Sequence, residues 1–559
     1  WHHLAGVYDG RSLRLYVDGR QLAEKSAEGP IRHASCSVFV GRAFVKSGAA
    51  LRGAIDEARI YNRALTPGEI ESAAAGNSAT GAVMELLLCD FEDEPFEWFT
   101  YGGDYGELPT DGIFCCNGLV SSDRIPHPGL IEYKKILEPV RVKLLDPAAG
   151  LIEIENRHHF VSLDYLEADW SLLDDDQLIA EGLLPRLNTP PGGRETLAVP
   201  IPTVPVRPGA TRWLNIRFTL NKDAPWAPAG HEIAWAQFEQ KTGTEKTGTA
   251  SLPAVGKRLF GSLKEVAVPA FCPRGSKDSL CDSDDEAVLE TATSRNVFSK
   301  TSGTIVSWRH DGFDLLLSGP ALNVWRAPTD NDELSLEAGQ WRAAGLHALR
   351  HRTTAFAFKN NCLTIETVSS APDGEDLFHC RYTYTAGSSG EIHLEWQLTP
   401  LRDLPAVPRI GLQLRAPASF RQLRWYGRGP HETYPDRKQS GRVGIYCETV
   451  DAANLPYVTP QEYGNKTDVR WAELTTTDRR GIRAASPELM QVSAHPCETR
   501  ALEEARHTFS LHHGDATTFN IDFHVCGLGN GSCGPAVLDQ YKITPATQTH
   551  RITLSPAVR

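Results

Sequence analysis

The sequence predicts a mainly β protein built from several antiparallel β-sandwiches. The chain has 559 residues, too many for one hydrophobic core, so three or four domains are expected. Short apolar and β-branched runs recur along most of its length, and turns rich in glycine, proline and aspartate separate them. Helical patterns are confined to short pieces such as residues 341–347.

The amino-acid composition excludes several classes of protein and partner. Hydrophobic residues make up 41% and charged residues 23%, both ordinary for a globular domain protein. The net charge of −13 argues against a nucleic-acid partner, which would favour a basic surface. No apolar run approaches the roughly 18 residues that cross a bilayer. The 12 cysteines contain no C-x-x-C pair, so we expect buried free thiols rather than zinc ligands or a disulfide framework.

The N-terminal region, residues 1–80, reads as paired strands. Asp9-Gly10 and Asp18-Gly19 mark hairpin turns between alternating apolar segments. The chain starts at Trp1, in what reads as the middle of a strand, with no initiator methionine or signal-peptide pattern. This predicts a missing upstream part and leaves cytoplasmic, periplasmic and secreted locations open.

The rest of the chain divides by composition. Residues 81–128 show little periodicity and are rich in glycine, aspartate and aromatic residues. Residues 129–255 carry four clear strand patterns with turns at 174–177 and 190–193, typical of an immunoglobulin-like sandwich. Residues 256–285 form a linker that ends in a small acidic run. Residues 286–559 carry many strand patterns and predict a large two-layer sandwich.

The first 80 residues are similar to the second half of a laminin-G or concanavalin-like sandwich. Three stretches carry this resemblance: residues 1–10, 15–19 and 53–61. Only the end of such a jelly-roll domain is covered. Half a sandwich leaves sheet edges exposed and a core incomplete, so poor order is expected here.

Three further runs, in the family's order, resemble family 2 β-galactosidases. They are residues 117–128, residues 325–332, and residues 426–438 with 457–465 downstream. The resemblance implies that residues 81–128 are the C-terminal end of a (β/α)₈ barrel. It also implies that residues 129–255 are the immunoglobulin-like domain and that 286–559 are a C-terminal, mutarotase-like sandwich. The barrel itself needs about 250 residues of alternating strands and helices and is absent from the chain.

The resemblance implies a retaining glycosidase, in which one carboxylic acid protonates the leaving oxygen and a second carboxylate attacks the anomeric carbon. The family places this pair, and its magnesium ligands, in the barrel portion that the chain lacks. Glu92, Asp93 and Glu94 are predicted to be a solvated connector rather than substitutes. No catalytic residue is therefore assigned.

The resemblance also implies that individual residues of this chain form part of a sugar pocket. The resemblance makes Phe114, through its carbonyl, and Asn117, through its side-chain oxygen, ligands of a sodium ion beside the galactose. Oxygen ligands suit such a hard cation. The alternative is that Asn117-Gly118 is only a turn.

Two loops of the last domain are also implied to border the pocket. Asp330 and Asn331 open one of them, and an Asx-type turn without ligand contact is the alternative. Residues 527–535 form the other, where several relatives carry a tryptophan that stacks on the aglycone sugar. This chain has Cys533 there, which predicts weaker aglycone binding. The alternative is a glycine-rich loop with a packing cysteine.

Gly427, Gly429 and Pro430 predict that the run at 426–438 is a shaped loop between strands. Its charged and aromatic residues are predicted to be structural. Arginine–carboxylate pairing and a turn at Tyr434-Pro435 would hold a domain junction against the barrel. We favour this interpretation over direct sugar contact. It applies to a set of five residues: Arg428, Glu432, Tyr434, Asp436 and Arg437.

The function implied is part of a β-galactosidase that releases terminal non-reducing β-D-galactose. Its implied partners are β-galactoside sugars, the missing barrel and further copies of the parent protein. One alternative is a non-catalytic carbohydrate-binding module, or the small subunit of a two-chain β-galactosidase. A second alternative is a parent that prefers a glucuronide or a mannoside, which the runs at 325–332 and 427–434 disfavour.

Overall fold

The computed structural model forms two compact units, residues 1–117 and 118–559. Within the described residues, no helix is both long enough and apolar enough to cross a membrane. The predicted connector at Glu92–Glu94 and most of the predicted linker at 256–285 lie outside the described residues. The structure describes these ranges: 2–27, 58–61, 64–75, 85–89, 99–240, 279–283, 285–291, 293–359, 362–387, 389–453 and 457–557.

The described part of the first unit contains an antiparallel three-stranded meander, a separate strand pair and one helix. Val7, Tyr16 and Ile70 form its small described core, and both predicted hairpin turns connect paired strands. Asp18 and Gly19 have φ values of 48° and 79°, the left-handed conformation that a tight hairpin turn requires. Its elements are β1 Leu4–Tyr8, β2 Ser12–Val17, β3 Arg20–Ser26, β4 Ala58–Tyr61, α1 Pro67–Ala74, β5 Glu85–Cys89 and a 3₁₀ turn at Gly112–Cys115.

The second unit opens with α2 (Pro128–Ile136) and a seven-stranded sandwich. Its strands are β6 Val140–Asp146, β7 Leu151–Asn156, β8 Leu166–Asp174, β9 Gln177–Leu183, β10 Arg194–Ala198, β11 Arg212–Leu220 and β12 Glu232–Gln240. One sheet has the order β10-β7-β6 and the other has the order β12-β11-β8-β9. Every second residue of β8 is buried, as expected for a strand with one face on a core. The predicted immunoglobulin-like sandwich is thereby confirmed.

A second, larger sandwich follows. Its first half comprises β13 Ser279–Asp282, β14 Glu286–Glu290, β15 Ser294–Ser299, β16 Ile305–His310, β17 Phe313–Leu316, β18 Ser318–Asn323, α3 Asp330–Leu334, α4 Glu337–Ala343, β19 Arg350–Lys359, β20 Cys362–Ser370, β21 Asp376–Ala386 and β22 Ile392–Pro400. Its second half comprises β23 Arg409–Pro417, β24 Gln422–Gly429, β25 Arg442–Thr449, β26 Lys466–Thr475, β27 Gly481–His495, α5 Thr499–Glu504, β28 Ala516–Val525 and β29 Gln548–Ala557.

These strands form one 17-stranded antiparallel sheet that folds back on itself. The pairs β22–β29, β23–β28 and β27–β29 join strands distant in sequence and close the two layers. Trp308, Trp396 and Trp425 are fully buried in the core between them. The mainly β, multi-sandwich fold class predicted from the sequence is confirmed.

One local prediction was wrong. The run at 426–438 is not a loop throughout, because Tyr426–Gly429 completes β24 and pairs with β25. Gly427 is needed for close packing rather than for a turn: an added Cβ would lie 2.7 Å from Val469 Cγ2 and 3.0 Å from Val469 Cα on β26. Only the stretch from Pro430 to Gly441 is a connecting loop.

A buried ionic network lies beside the core of the large sandwich. Arg409 pairs with Glu462 at 2.6 Å and lies 3.6 Å from an oxygen of Asp522. Neither Asp522 oxygen accepts a hydrogen bond from a described residue. Burial, opposed by Arg409 and reinforced by Glu462, raises the pKa of Asp522 from 3.8 to about 7. One guanidinium thus serves two buried carboxyl groups, which favours keeping one of them protonated.

Replacing Gly427 by alanine should destabilise the large sandwich. The new methyl group would meet backbone and side-chain atoms of Val469, and overpacking of this kind costs about 1–3 kcal/mol. The urea midpoint, followed by tryptophan fluorescence, should fall accordingly. Gly339→Ala is the matched control, because nothing lies within 4 Å of its added Cβ and alanine favours helix at this exposed position of α4. Equal midpoints for both variants would contradict the packing role of Gly427.

The Asp522 network predicts a pH-dependent stability. Because the folded-state pKa is raised above 3.8 to about 7, the folded protein holds a proton that the unfolded chain releases, and the free energy of unfolding should fall as the pH rises between these values. Asp522→Asn, which does not titrate, should flatten that decline in urea titrations at several pH values. Asp515→Asn, at an exposed carboxylate, should leave the profile unchanged. A decline of the same steepness in Asp522→Asn would assign it to another group.

Candidate functional site

Four loops of the large sandwich are tied together by hydrogen bonds and ion pairs. We call residues 324–336, 430–441, 457–465 and 526–541 the loop cluster. It contains Asp330, Asn331 and Cys533, three of the residues that the sequence singles out. The sheet supplies a rigid frame, since each loop leaves or enters a core strand: β18, β24, β26 or β28. Loops carried by a rigid scaffold are where binding residues concentrate.

A fully buried ion pair lies at the centre of the loop cluster. Arg326 Nη2 donates to Asp332 Oδ1 at 2.7 Å and Nε donates to Oδ2 at 3.1 Å, and both side chains are 0% exposed. The remaining guanidinium donors reach the carbonyl oxygens of Cys526 and Gly527 at 2.9 and 3.0 Å. A planar guanidinium can make these bonds simultaneously, so one side chain joins two loops.

Asp332 also fixes the start of helix α3. Its Oδ2 accepts the backbone N–H of Thr329 at 2.9 Å, and the Thr329 hydroxyl accepts the Asp332 N–H at 3.3 Å. This is a capping box, in which a side chain at each end satisfies a free amide of the first turn. Asp330 and Asn331 are therefore the first two helical residues, and the Asx-type turn left open by the sequence is replaced by a capped helix.

Asn331 binds the C-terminal loop of the cluster through both ends of its amide. Nδ2 donates to the carbonyl oxygen of Gly529 at 2.9 Å. Oδ1 accepts from the Ser532 N–H at 3.0 Å and from the Ser532 hydroxyl at 2.7 Å. Gly531 fits only without a side chain, because an added Cβ would lie 2.6 Å from the Asn331 carbonyl oxygen. Asn331 thus positions the segment that carries Cys533.

Asp330 contacts a different loop. Its N–H donates to Gln461 Oε1 at 3.2 Å, and Gln461 Nε2 donates to Asp330 Oδ2 at 3.1 Å. Burial raises the pKa of the Asp330 carboxyl above its ordinary value. The negative charges of Glu333 and Asp332 act in the same direction as burial, and the hydrogen bond from Gln461 opposes them.

Glu432 ties the loop at 430–441 to the loop at 457–465. It pairs with Arg437, accepts the Tyr457 hydroxyl at 2.9 Å and accepts the Gly464 N–H at 2.7 Å. Opposed by burial, the Glu432 charge raises the pKa of Arg437 and keeps it cationic. Asp436 Oδ2 accepts the Gly529 N–H at 2.8 Å, which connects the same loop to the C-terminal one.

The same loop also contacts helix α2. Glu132 accepts the backbone N–H groups of Gln439 and Ser440 at 2.9 Å each, and the Ser440 hydroxyl at 2.6 Å. Arg428 pairs with Asp468, within the large sandwich. The predicted junction of this loop with the barrel stays a prediction.

Cys533 lies on the exposed tip of the C-terminal loop. Its N–H donates to the Asn530 carbonyl oxygen at 3.1 Å, and the Asn530 N–H donates to the Pro535 carbonyl oxygen at 3.0 Å. The side chain is exposed, not packed. A larger side chain at this position would project from a loop that Asn331 and Asp436 hold in place.

Phe114 and Asn117 belong to the first unit. Asn117 Nδ2 donates to the Phe114 carbonyl oxygen at 2.5 Å, which closes an exposed turn after the 3₁₀ segment. The two candidate sodium ligands thus lie within hydrogen-bonding distance of each other in one turn. In the part of the chain that the structure describes, no cluster of three or more His, Cys, Asp or Glu side chains could hold a metal ion.

The second unit also has two clefts that contain none of the residues assigned to the sugar pocket. One, of about 750 Å³, lies between the β8, β9 and β11 face and β25, with Trp213 and Arg442 in its walls. The other, of about 250 Å³, lies beside β27 and β28 and includes Lys438 and Tyr541. Neither is lined by a residue assigned to the sugar pocket, so the loop cluster remains the candidate site.

Sequence motifs located this cluster but missed several of the residues that build it. Ser532, Glu132 and the Arg409–Glu462 pair had no assigned role, and Gln461 was noted only as part of a run. Their partners lie far away along the chain, so no local spacing identifies them. The one available signal was the density of glycine and polar residues at 527–535.

Family comparisons agree with this organisation. The profile described as "Beta galactosidase small chain" matches residues 290–554, and "Beta-galactosidase, domain 4" matches 152–241. The profile "Glycosyl hydrolases family 2, TIM barrel domain" matches 87–142, and "Concanavalin A-like lectin/glucanases superfamily" matches 1–71. The predicted domain boundaries remain predictions.

Curated relatives extend the match beyond single domains. A protein of Priestia megaterium named Beta-galactosidase is 33% identical over 77% of this chain and 40% of its own length. One of Vibrio cholerae with the same name is 29% identical over 84% of this chain and 43% of its own. Among solved structures, a GalM/aldose epimerase homologue from C. elegans matches 48% of this chain and 97% of its own chain, with 8% sequence identity and a TM-score of 0.29.

The chain thus spans less than half the length of the curated relatives it matches. Three of the matched segments follow one another along the chain: the barrel segment, domain 4 and the small-chain domain. The barrel segment contains the run at 117–128, and the small-chain domain contains the runs at 325–332 and 426–438. The chain belongs to the family 2 glycoside hydrolases of the β-galactosidase type.

Proposed function

We propose that the chain is the C-terminal portion of a β-galactosidase that hydrolyses terminal non-reducing β-D-galactose residues with retention of configuration. The observation that carries the proposal is the 33% identity to the Priestia megaterium relative across 77% of the chain. The retention of a whole, mutually bonded loop cluster at residues carried over from the family supports it. A β-glucuronidase or β-mannosidase has no comparable support.

The catalytic pair is proposed to lie outside this chain. A retaining glycosidase needs two carboxyl groups about 5 Å apart on a rigid frame, one as acid and one as nucleophile. The barrel profile is matched only at 87–142, too short a stretch to supply the strands that hold such a pair. Magnesium, which the family binds in the barrel, belongs to that portion as well.

This chain would shape the sugar site rather than perform bond cleavage. Asn331, Asp436 and Arg326 hold the segment that carries Cys533 in one conformation, which removes much of the entropy cost of ordering it when sugar binds. Asp330 would border the same pocket and accept a hydrogen bond from a sugar hydroxyl. Without an aromatic face at Cys533, the second sugar loses apolar contact area.

A sodium ion is proposed to bind beside the galactose with Phe114 and Asn117 among its ligands. The ligand types suit sodium, since a backbone carbonyl and a side-chain amide oxygen are hard ligands on one short turn. In the structure Asn117 Nδ2 donates to the Phe114 carbonyl oxygen, so the amide would have to rotate to present its oxygen to the ion. When bound, the ion would supply a fixed positive charge for sugar hydroxyl oxygens. Assembly of the parent into a homo-oligomer is proposed from the family resemblance alone.

The first test separates this chain from the complete enzyme. Purified chain should hydrolyse a chromogenic β-galactoside no faster than buffer, because the carboxylate pair lies outside it. A chimaera in which the chain replaces the matching region of the Priestia megaterium relative should hydrolyse it. Turnover by the chain alone that survives repurification, and disappears when one of its own carboxylates is replaced, would overturn the proposal. So would a folded chimaera that remains inactive.

The second test concerns the aglycone side. In the active chimaera, Cys533→Trp should tighten lactose binding about twofold to tenfold and raise transfer to added glucose, since an aromatic contact contributes about 0.5–1.5 kcal/mol. Initial rates with lactose and product ratios by chromatography measure both effects. Cys447→Trp, at another exposed cysteine, is the matched control and should change neither. Unaltered lactose binding in folded Cys533→Trp would show that residues 527–535 do not reach the pocket.

A further inference from the structure

Two adjacent cysteines occupy the turn that closes the first unit. Cys115 is exposed and Cys116 is half-buried, and their sulfur atoms lie 3.8 Å apart. The glycosidase function proposed above uses neither thiol. Of the eight cysteines with described side chains, three are buried, so the expectation of buried thiols holds for Cys380, Cys497 and Cys526 but not for this pair.

The backbone holds the two thiols in place before any ligand binds. The Gly102 N–H donates to the Gly112 carbonyl oxygen at 2.9 Å, and the Cys116 N–H donates to that of Ile113 at 2.8 Å. The Cys115 thiol contacts the Gly112 carbonyl oxygen at 3.7 Å. Groups already fixed in the binding geometry lose little conformational entropy when a ligand joins them.

A disulfide between these neighbours is geometrically disfavoured. The peptide bond between them is trans, which places the two Cα atoms about 3.8 Å apart. Disulfides in proteins need about 4.4 Å or more between Cα atoms. Both thiols are free in the structure, with both sulfur atoms available to one acceptor atom.

We propose that Cys115 and Cys116 form a dithiol site that chelates trivalent arsenic, a thiophilic centre able to take two thiolates on one atom. With phenylarsine oxide, both S–H bonds break, two As–S bonds form, and the arsenical's oxygen leaves as water with the two protons. No atom changes oxidation state, so neither oxidant nor reductant is required. This site is independent of the proposed glycosidase function, since its occupancy is read without any sugar.

The test is native intact mass spectrometry of the full chain incubated with phenylarsine oxide. One phenylarsenic group should add, excess glutathione should leave it bound, and 2,3-dimercaptopropanol should remove it. Peptide mapping of the wild-type adduct should place it on Cys115 and Cys116, which holds even if a variant misfolds. Cys115→Ser and Cys116→Ser should each weaken binding about a hundredfold, because the second bond is no longer intramolecular.

Cys447→Ser serves as the control and should bind as the wild type does, since Cys447 is an exposed single thiol. An adduct of undiminished affinity in both serine variants would assign the site to other cysteines, which include Cys36, Cys89, Cys272 and Cys281 outside the described side chains. An adduct that glutathione releases would indicate a single thiol. No adduct on the folded chain would show that the pair is not a site. Each of these results would overturn the proposal.

Discussion

The loop cluster depends on one buried ion pair, Arg326–Asp332. Both side chains are fully buried, and their burial would be unfavourable if either lost its partner, typically by 3–5 kcal/mol in comparable pairs, as an order of magnitude. Here the guanidinium also satisfies two carbonyl groups at the start of the C-terminal loop, and the carboxylate also caps α3. A single charged contact therefore determines where two loops begin.

The other polar contacts of the cluster build outward from that pair. Asn331 lies in the first turn of the capped helix α3 and donates a hydrogen bond to the glycine-rich loop at 526–541. Asp436, from the loop at 430–441, accepts a hydrogen bond from the same glycine-rich loop. Glu432 then joins the two loops that approach from β24 and β26. Such networks are most stable when every buried donor and acceptor is satisfied. Among the described residues, Asp436 Oδ1 and Arg437 Nε of the loop cluster have no hydrogen-bond partner.

Local patterns predicted most strands correctly but misassigned Tyr426–Gly429. The strand patterns predicted across residues 286–559 include the strands Ile392–Pro400 and Arg409–Pro417, because alternation and β-branched residues act between near neighbours. Gly427 looked like a turn residue because glycine often serves there. Its real constraint is the closeness of Val469, two strands later in the chain, and no local pattern contains that information.

The sequence by itself determined the β class and the family, because strand alternation, turn residues and short motifs involve residues that are neighbours in the chain. The capping box of Thr329 and Asp332 became apparent only in the structure, where the sequence had left a pocket loop or an Asx-type turn open. Tertiary structure alone decided that Asn331 holds Ser532, that Glu132 holds Ser440, and that Asp522 shares Arg409 with Glu462. Those contacts join residues far apart in the chain. They exist only after the sheet has folded back and excluded water from between them.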